Sequence, residues 1–307
     1  MRWPIERRTS SPVWPSNSSA LSPEETAAPE FNSENVSRRG SGQTFPDPTQ
    51  RVSQKAGTRR PLFRHSEREQ HQNLMALIIR IDVDRPYGRG PILRHFLSRL
   101  SSDLYFPKML RFGFLSELQT ILTWLNEEKA RAYVFFRRCT LPSKPILELL
   151  DAGCHEIGLH LENSRSFATF LEERRIIEHH LRKEVLALSK HGSGGARYGL
   201  HHHPPYEPDR YIEWAQRVSM RLFLGNLQDP SLETRKAGDG LLVFPSAFWL
   251  EPSWRDTKKF TIDWLVDRAR YRDVVLLIHP ENVLAHPGLA ADFKKLIKTL
   301  KSRIFSD

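Results

Sequence analysis

A parallel α/β sheet rolled into a distorted barrel of about seven strands is the fold that the sequence predicts beyond residue 75. Three observations lead there. Short apolar runs alternate with stretches of helical period. Two of those runs, ALIIRID at 76–82 and VVLLIH at 274–279, are continuously apolar rather than alternating. No glycine-rich phosphate loop follows any strand-like run, and GSGG at 192–195 follows a helical stretch instead. A continuous apolar run marks a strand buried on both faces, and strand–helix alternation marks parallel pairing. Without a phosphate loop the pattern fits a barrel better than a nucleotide-binding open sheet, so the chemistry is expected where strands end.

The strands expected in order are 76–82, 132–137, 155–160, 221–225, 241–244 and 274–279, with a seventh near 197–201. Helices fall between them. Phe114, Leu115, Leu118, Ile121, Leu122 and Leu125 recur every three to four residues, as one buried helix face requires. Ser143 is placed to cap a helix that Gly153 closes. Ser166 opens a longer helix with Leu171, Ile177, Leu181, Val185 and Leu188 on one face and Gly192 at its end. Two more are expected from Thr261 to Arg270 and from Pro287 to Arg303.

Residues 1–74 read differently. They are basic and rich in Pro and Ser, as in WPSNSSALSPEETAAPEFNSENVS, and hold no sustained apolar period. Such a segment buries too little to offset its ordering entropy, and a disordered tail is expected ahead of a single barrel domain over 75–307. Met75, directly before the first strand-like run, offers an alternative start. The tail lacks the apolar core of a secretory signal, and no run of about 18 apolar residues occurs to span a membrane. Cys139 and Cys154 are the only two cysteines, which is no disulfide framework, so a reduced cytoplasmic setting is expected. The net charge of +10 is shared between tail and domain, and the domain's basic residues are dispersed along helices. Nucleic-acid binding calls for a basic stripe interleaved with aromatics, so no nucleic-acid or membrane partner is expected.

Polar residues concentrate at the strand ends. Asp82 and Asp84 close the first strand, and at a spacing of two both side chains leave an extended backbone on one side. Two carboxylates so close favour a cation or a shared proton. In CHEIGLHLENS, at 154–164, His155 and His160 are five apart, which puts them on opposite faces of a strand. His155 is expected to be structural, and His160 to sit where a metal ligand belongs. Glu162 shares the face of His160 if the strand continues, and Ser164 does so if the chain turns helical. His201-His202-His203 lies in a loop, and His279 ends the most apolar strand.

These residues resemble the polysaccharide deacetylase superfamily, the chitooligosaccharide deacetylase-like hydrolases with a distorted (β/α) barrel. Ile81-Asp82-Val83-Asp84 is similar to the first family motif, which implies that Asp82 is the catalytic base and Asp84 a zinc ligand. His155-Glu156-Ile157-Gly158-Leu159-His160 resembles the approach to the second motif, with His155 structural and His160 on the metal. His203-Pro204-Pro205-Tyr206 is similar to the third motif, usually Arg-Pro-Pro-Tyr, which supports the base and offers a backbone N–H near Tyr206 to the oxyanion. Leu277-Ile278-His279-Pro280 resembles the last motif, which implies that His279 is the general acid. The resemblance runs from about Ala76 to Arg303. Two departures stand out: Ser164 occupies the position of the second zinc histidine, and His203 that of the arginine. Catalytic zinc generally takes three protein ligands, so Glu162, Asn163, or one of the loop histidines such as His201 or His203, is expected to complete the site.

The resemblance implies a divalent cation, zinc above others, and hydrolysis of a C–N amide bond, foremost the N-acetyl group of a carbohydrate or another small amide. The alternative is a catalytically degenerate barrel that binds a saccharide or protein partner.

Overall fold

A computed structural model of the chain describes residues 77–105, 108–238 and 240–305. The expected tail lies outside the described residues. The first strand, β1 (Leu77–Val83), is buried along its whole length, as its unbroken apolar run requires. Helices α1 (Ile92–Leu104) and α2 (Ser116–Glu127) follow, then β2 (Ala132–Phe136), α3 (Lys144–Ala152) and β3 (Glu156–Leu161). Helix α4 (Phe167–Leu181) leads to β4 (Ala187–Lys190), and α5 (Pro208–Arg217) to β5 (Leu222–Leu227). The strands β6 (Arg235–Ala237), β7 (Leu241–Ser246) and β8 (Phe248–Trp249) come next. Helix α6 (Ile262–Ala269), β9 (Val274–Ile278), α7 (Pro280–Ala285) and α8 (Pro287–Thr299) complete the described chain.

The nine strands form one sheet in the order β6-β7-β5-β4-β3-β2-β1-β9-β8, parallel throughout except for the β6–β7 pair. The sheet is curled. Arg80 on β1 donates to the carbonyls of Leu224 and Gly225 at 2.9 and 2.8 Å, across to β5. In a flat sheet four strand spacings would separate those strands by about 19 Å, far beyond an arginine's reach. The end strands β6 and β8 do not pair with each other, so the barrel stays incomplete. Its inner face carries Ile78, Tyr133, Phe135, Leu224, Val275 and Leu277. On the outer face Ile79, Ile81, Val134, Leu276 and Ile278 pack against Leu118, Ile121, Leu122, Leu265 and Phe293 of the helices.

Two expectations change. The helix opened by Ser166 stops at Leu181, with Arg182 left-handed at φ 52°, and Ala187–Lys190 forms a strand instead of a last helical turn. Val185 and Leu188 continue the helical spacing of Ile177 and Leu181, and a four-residue strand is too short to declare its own period. The strand expected near 197–201 is irregular loop. Elsewhere Ser143 does precede its helix, but its hydroxyl makes no cap bond. Among the described residues no helix is long and apolar enough to cross a membrane.

Candidate metal centre and active-site cleft

The C-terminal ends of β1, β3 and β4 converge, and each delivers one donor atom to the same point. Asp84 Oδ1 lies 3.0 Å from His160 Nε2 and 2.9 Å from His191 Nδ1, and the two ring nitrogens are 3.3 Å apart. Ligands about 2.0 Å from a tetrahedral zinc stand roughly 3.3 Å from one another, so this triangle is close to the dimensions of one face of a zinc site. Two imidazoles and a carboxylate are also the donor set that such an ion takes. Ser189 Oγ, 2.7 Å from His160 Nδ1, orients the first ring. Burial, reinforced by Arg137, drives His191 well below the ordinary histidine range, which leaves a neutral ring with a lone pair to donate. Burial alone would raise the Asp84 carboxyl, but His191, His160 and His279 outweigh it and hold it well below the usual range.

The backbone behind His191 is fastened from three sides. Its carbonyl accepts from Lys190 Nζ at 2.5 Å and lies 2.8 Å from His202 Nε2. Its N–H donates to the Leu161 carbonyl at 2.9 Å. The middle histidine of the triple-histidine loop therefore positions a donor of the triangle. Glu173, on α4, accepts the N–H groups of Glu162 and Asn163 at 2.9 and 2.8 Å and so pins the turn that follows β3.

Asp82 is 2% exposed and accepts two hydrogen bonds from Arg80, 2.8 Å from Nε and 2.6 Å from Nη2. Its Oδ2 stands 3.6 Å from His160 Nε2. At the end of β9, His279 Nδ1 meets Glu251 Oε1 at 2.8 Å, and its Nε2 stands 3.6 Å from Asp84 Oδ2. Burial disfavours the charged ring, but Glu251 prevails and the imidazole is raised to about 10. Asn282 donates to the same Glu251 oxygen at 3.1 Å. Asp82, Asp84, His160, His191, His279 and Asn282 open into one cleft of about 770 Å³, with Trp249 and Trp254 in its wall.

The structure thus brings Asp82, Asp84, His160 and His279 together and leaves other expected residues apart. Glu162 is buried in an ion pair with Arg137, whose Nη1 donates to the Asp84 carbonyl at 2.7 Å. His201 stacks on Tyr105 with ring centres 4.8 Å apart. His203 Nδ1 lies 3.2 Å from Ser164 Oγ. None of the three belongs to the donor triangle; its third member is His191. Tyr206 and His203 do not line the cleft, and the Tyr206 hydroxyl accepts the Asn226 N–H at 2.8 Å. The arginine contact to Asp82 comes from Arg80 on its own strand. His155 lies away from the triangle, accepting the Ala132 N–H at Nδ1 (3.1 Å) and facing Asn126 Oδ1 through Nε2 (2.8 Å). His191, Arg80 and Glu251 escaped the sequence reading. For His191 the signal was a polar residue directly after ALSK, invisible while that segment was assigned to a helix.

No family model matches the chain. No curated protein matches it either. The solved structures similar to it include polysaccharide and peptidoglycan deacetylases, an allantoinase and CE4 family members. A probable polysaccharide deacetylase from Pseudomonas aeruginosa is 15% identical with a TM-score of 0.44, over 73% of this chain and 83% of that one. The peptidoglycan deacetylase PdaC from Bacillus subtilis is 18% identical with a TM-score of 0.39, over 75% and 87%. A CE4 family pseudoenzyme from Bacillus anthracis is 14% identical with a TM-score of 0.40, over 75% of this chain. The chain spans 63% of that pseudoenzyme's length.

Proposed function

We propose that this chain is a divalent-metal-dependent hydrolase of a C–N amide bond, a deacetylase whose substrate is an N-acetylated carbohydrate. The observation that carries this reading is the triangle of Asp84, His160 and His191 beside Asp82 and His279 in one cleft. Asp84 Oδ1, His160 Nε2 and His191 Nδ1 would hold the cation, most suitably zinc. When bound, it supplies Lewis-acid polarisation of the acyl oxygen and a lowered pKa for an attacking water.

The chain's own residues divide the proton work. Asp82, oriented by the two hydrogen bonds from Arg80, takes a proton from the attacking water as general base. His279 is protonated at neutral pH, and Glu251 holds Nδ1 so that Nε2 faces the site. It gives its proton to the departing amine, which would otherwise leave as an unstable anion. Arg137 ties the turn carrying Asp84 to the Glu162 turn and keeps the two ligand-bearing strand ends at a fixed separation. Cys154 is an exposed free thiol, which suits a reducing cytoplasmic setting.

Metal content and amine release test the reading together. Purified protein reconstituted with zinc is expected to bind one equivalent, lost in Asp84→Asn and His191→Ala, and to release amine from N-acetylglucosamine oligomers. Folded protein that takes up no divalent ion would overturn the hydrolase. The catalytically degenerate saccharide- or partner-binding barrel would then stand in its place.

A further inference from the structure

Helix α1 carries its side chains in an inverted arrangement. Its buried residues are Leu97, Ser98, Ser101 and Ser102, three of them hydroxylic. Ile92 is 89% exposed and Phe96 62%. One helical turn apart, these two share a stripe, and both line the cleft. Apolar side chains gathered at the mouth of a site mark a surface that something covers.

The same mouth is basic. Arg85, Arg89, Arg99 and Arg197 all line it. Arg99 is paired with Asp103 at 3.0 Å, and Arg197 is spent on the carbonyls of Gly199 and Leu200. Arg85 stands a loose 4.0 Å from Glu281. Arg89 is exposed and has no hydrogen-bond or ion-pair partner among the described residues. Of the three acids lining the cleft, Asp82 is held by Arg80 and Asp84 by histidines, and Glu281 faces Arg85, so none is paired with Arg89. A neutral sugar carries no charge to pair with a free guanidinium and no alkyl chain to cover the exposed Ile92. An oxyanion suits the first, through the paired N–H groups of an arginine, and a hydrocarbon chain suits the second.

We propose that the cleft takes an anionic amphiphile, an amide substrate whose phosphate or carboxylate is gripped by Arg89 and whose apolar chain lies on Ile92 and Phe96. This rests on the hydrolase reading for the amide and names the substrate class of that same site.

Binding to zinc-loaded protein tests it, read by tryptophan fluorescence, since Trp249 and Trp254 sit in the cleft wall. The probes are N-acetylglucosamine, its 1-phosphate, its uronic acid, its octyl glycoside, and its octyl phosphodiester, all kept below micelle-forming concentrations. The octyl chain and the better of the two anions are each expected to tighten binding at least tenfold. The comparison of phosphate with carboxylate identifies the anion. Arg89→Gln should remove the gain from the anion alone and Phe96→Ser the gain from the chain alone. Both positions are exposed, and unchanged zinc content verifies that the variants are folded. Less than a threefold gain from either feature, or gains that survive both substitutions, would overturn the proposal. Amine release is scored separately: tight binding of the amphiphile without amine release sinks the hydrolase and the amide with it, and leaves the anionic amphiphile as the ligand of the cleft.

Discussion

Arg80 and Asp82 stand two residues apart on β1 and are locked together by two hydrogen bonds of 2.8 and 2.6 Å, while the same guanidinium reaches β5 through Leu224, Gly225 and Asn226. One buried side chain thus both orients the proposed base and ties two strands across the barrel. Arg80→Met leaves the buried Asp82 carboxylate and two carbonyls without their partner. Breaking a buried ion pair costs about 3–5 kcal/mol, and a general base contributes roughly 10²–10⁴ in rate. The variant is expected to melt well below the wild type and to lose kcat while still binding zinc. Unchanged kcat in folded protein would remove Arg80 from the mechanism.

Metal content separates the candidate third ligands. His191→Ala is expected to release the ion, whereas Glu162→Gln and Ser164→Ala retain it, because Glu162 is paired with Arg137 and Ser164 with His203 and Tyr211. Mass spectrometry of the native proteins gives the stoichiometry directly. Release from Ser164→Ala would mean that the ion is held elsewhere.

In the proposed mechanism Glu251 acts only through His279, which it meets at 2.8 Å. Glu251→Gln keeps the shape but removes the charge that raises the imidazole to about 10. The expected result is a fall in kcat of about 10²-fold, with zinc content unchanged and KM little altered. A loss of metal instead would show that Glu251 supports the centre rather than the acid.

His155 gives the fold an acid limit. It is 5% exposed, and burial, with Arg131 adding to it, pulls its ring down to about 4 from an ordinary 6.5. The folded protein therefore keeps it neutral, with Nδ1 accepting the Ala132 N–H, while the unfolded chain protonates it. The unfolded state binds more protons between pH 6.5 and 4, so stability is full above that window and falls as pH drops through it, by roughly 3 kcal/mol in total. His155→Gln should flatten this slope in denaturant titrations repeated across the window. An equal slope in the variant would assign the acid sensitivity to other groups.

The two strands that read most plainly in the sequence, β1 and β9, are the ones buried on both faces, where local composition and tertiary environment agree. They place Asp82, Asp84 and His279 where strand ends open into the cleft, and the odd spacing of His155 and His160 was enough to part them. β4 was lost because its apolar residues stay in phase with the preceding helix, and with it went His191. Arg80 reads as an interruption of an apolar strand until the sheet curls and gives its side chain acceptors on β5.

By itself the sequence determined the alternation of strands and helices, the clustering of titratable groups at strand ends, and the separation of the two histidines in CHEIGLHLENS. Those are properties of chain neighbours, set by backbone periods of 2 and 3.6 residues. Only the tertiary structure decided which donors meet: Asp84, His160 and His191 are 76 and 31 residues apart along the chain, and Glu162, much nearer, is turned away to Arg137. The physical reason is the curl of the sheet, which places the ends of β1, β3 and β4 around one point and spends the nearer carboxylate on a buried ion pair.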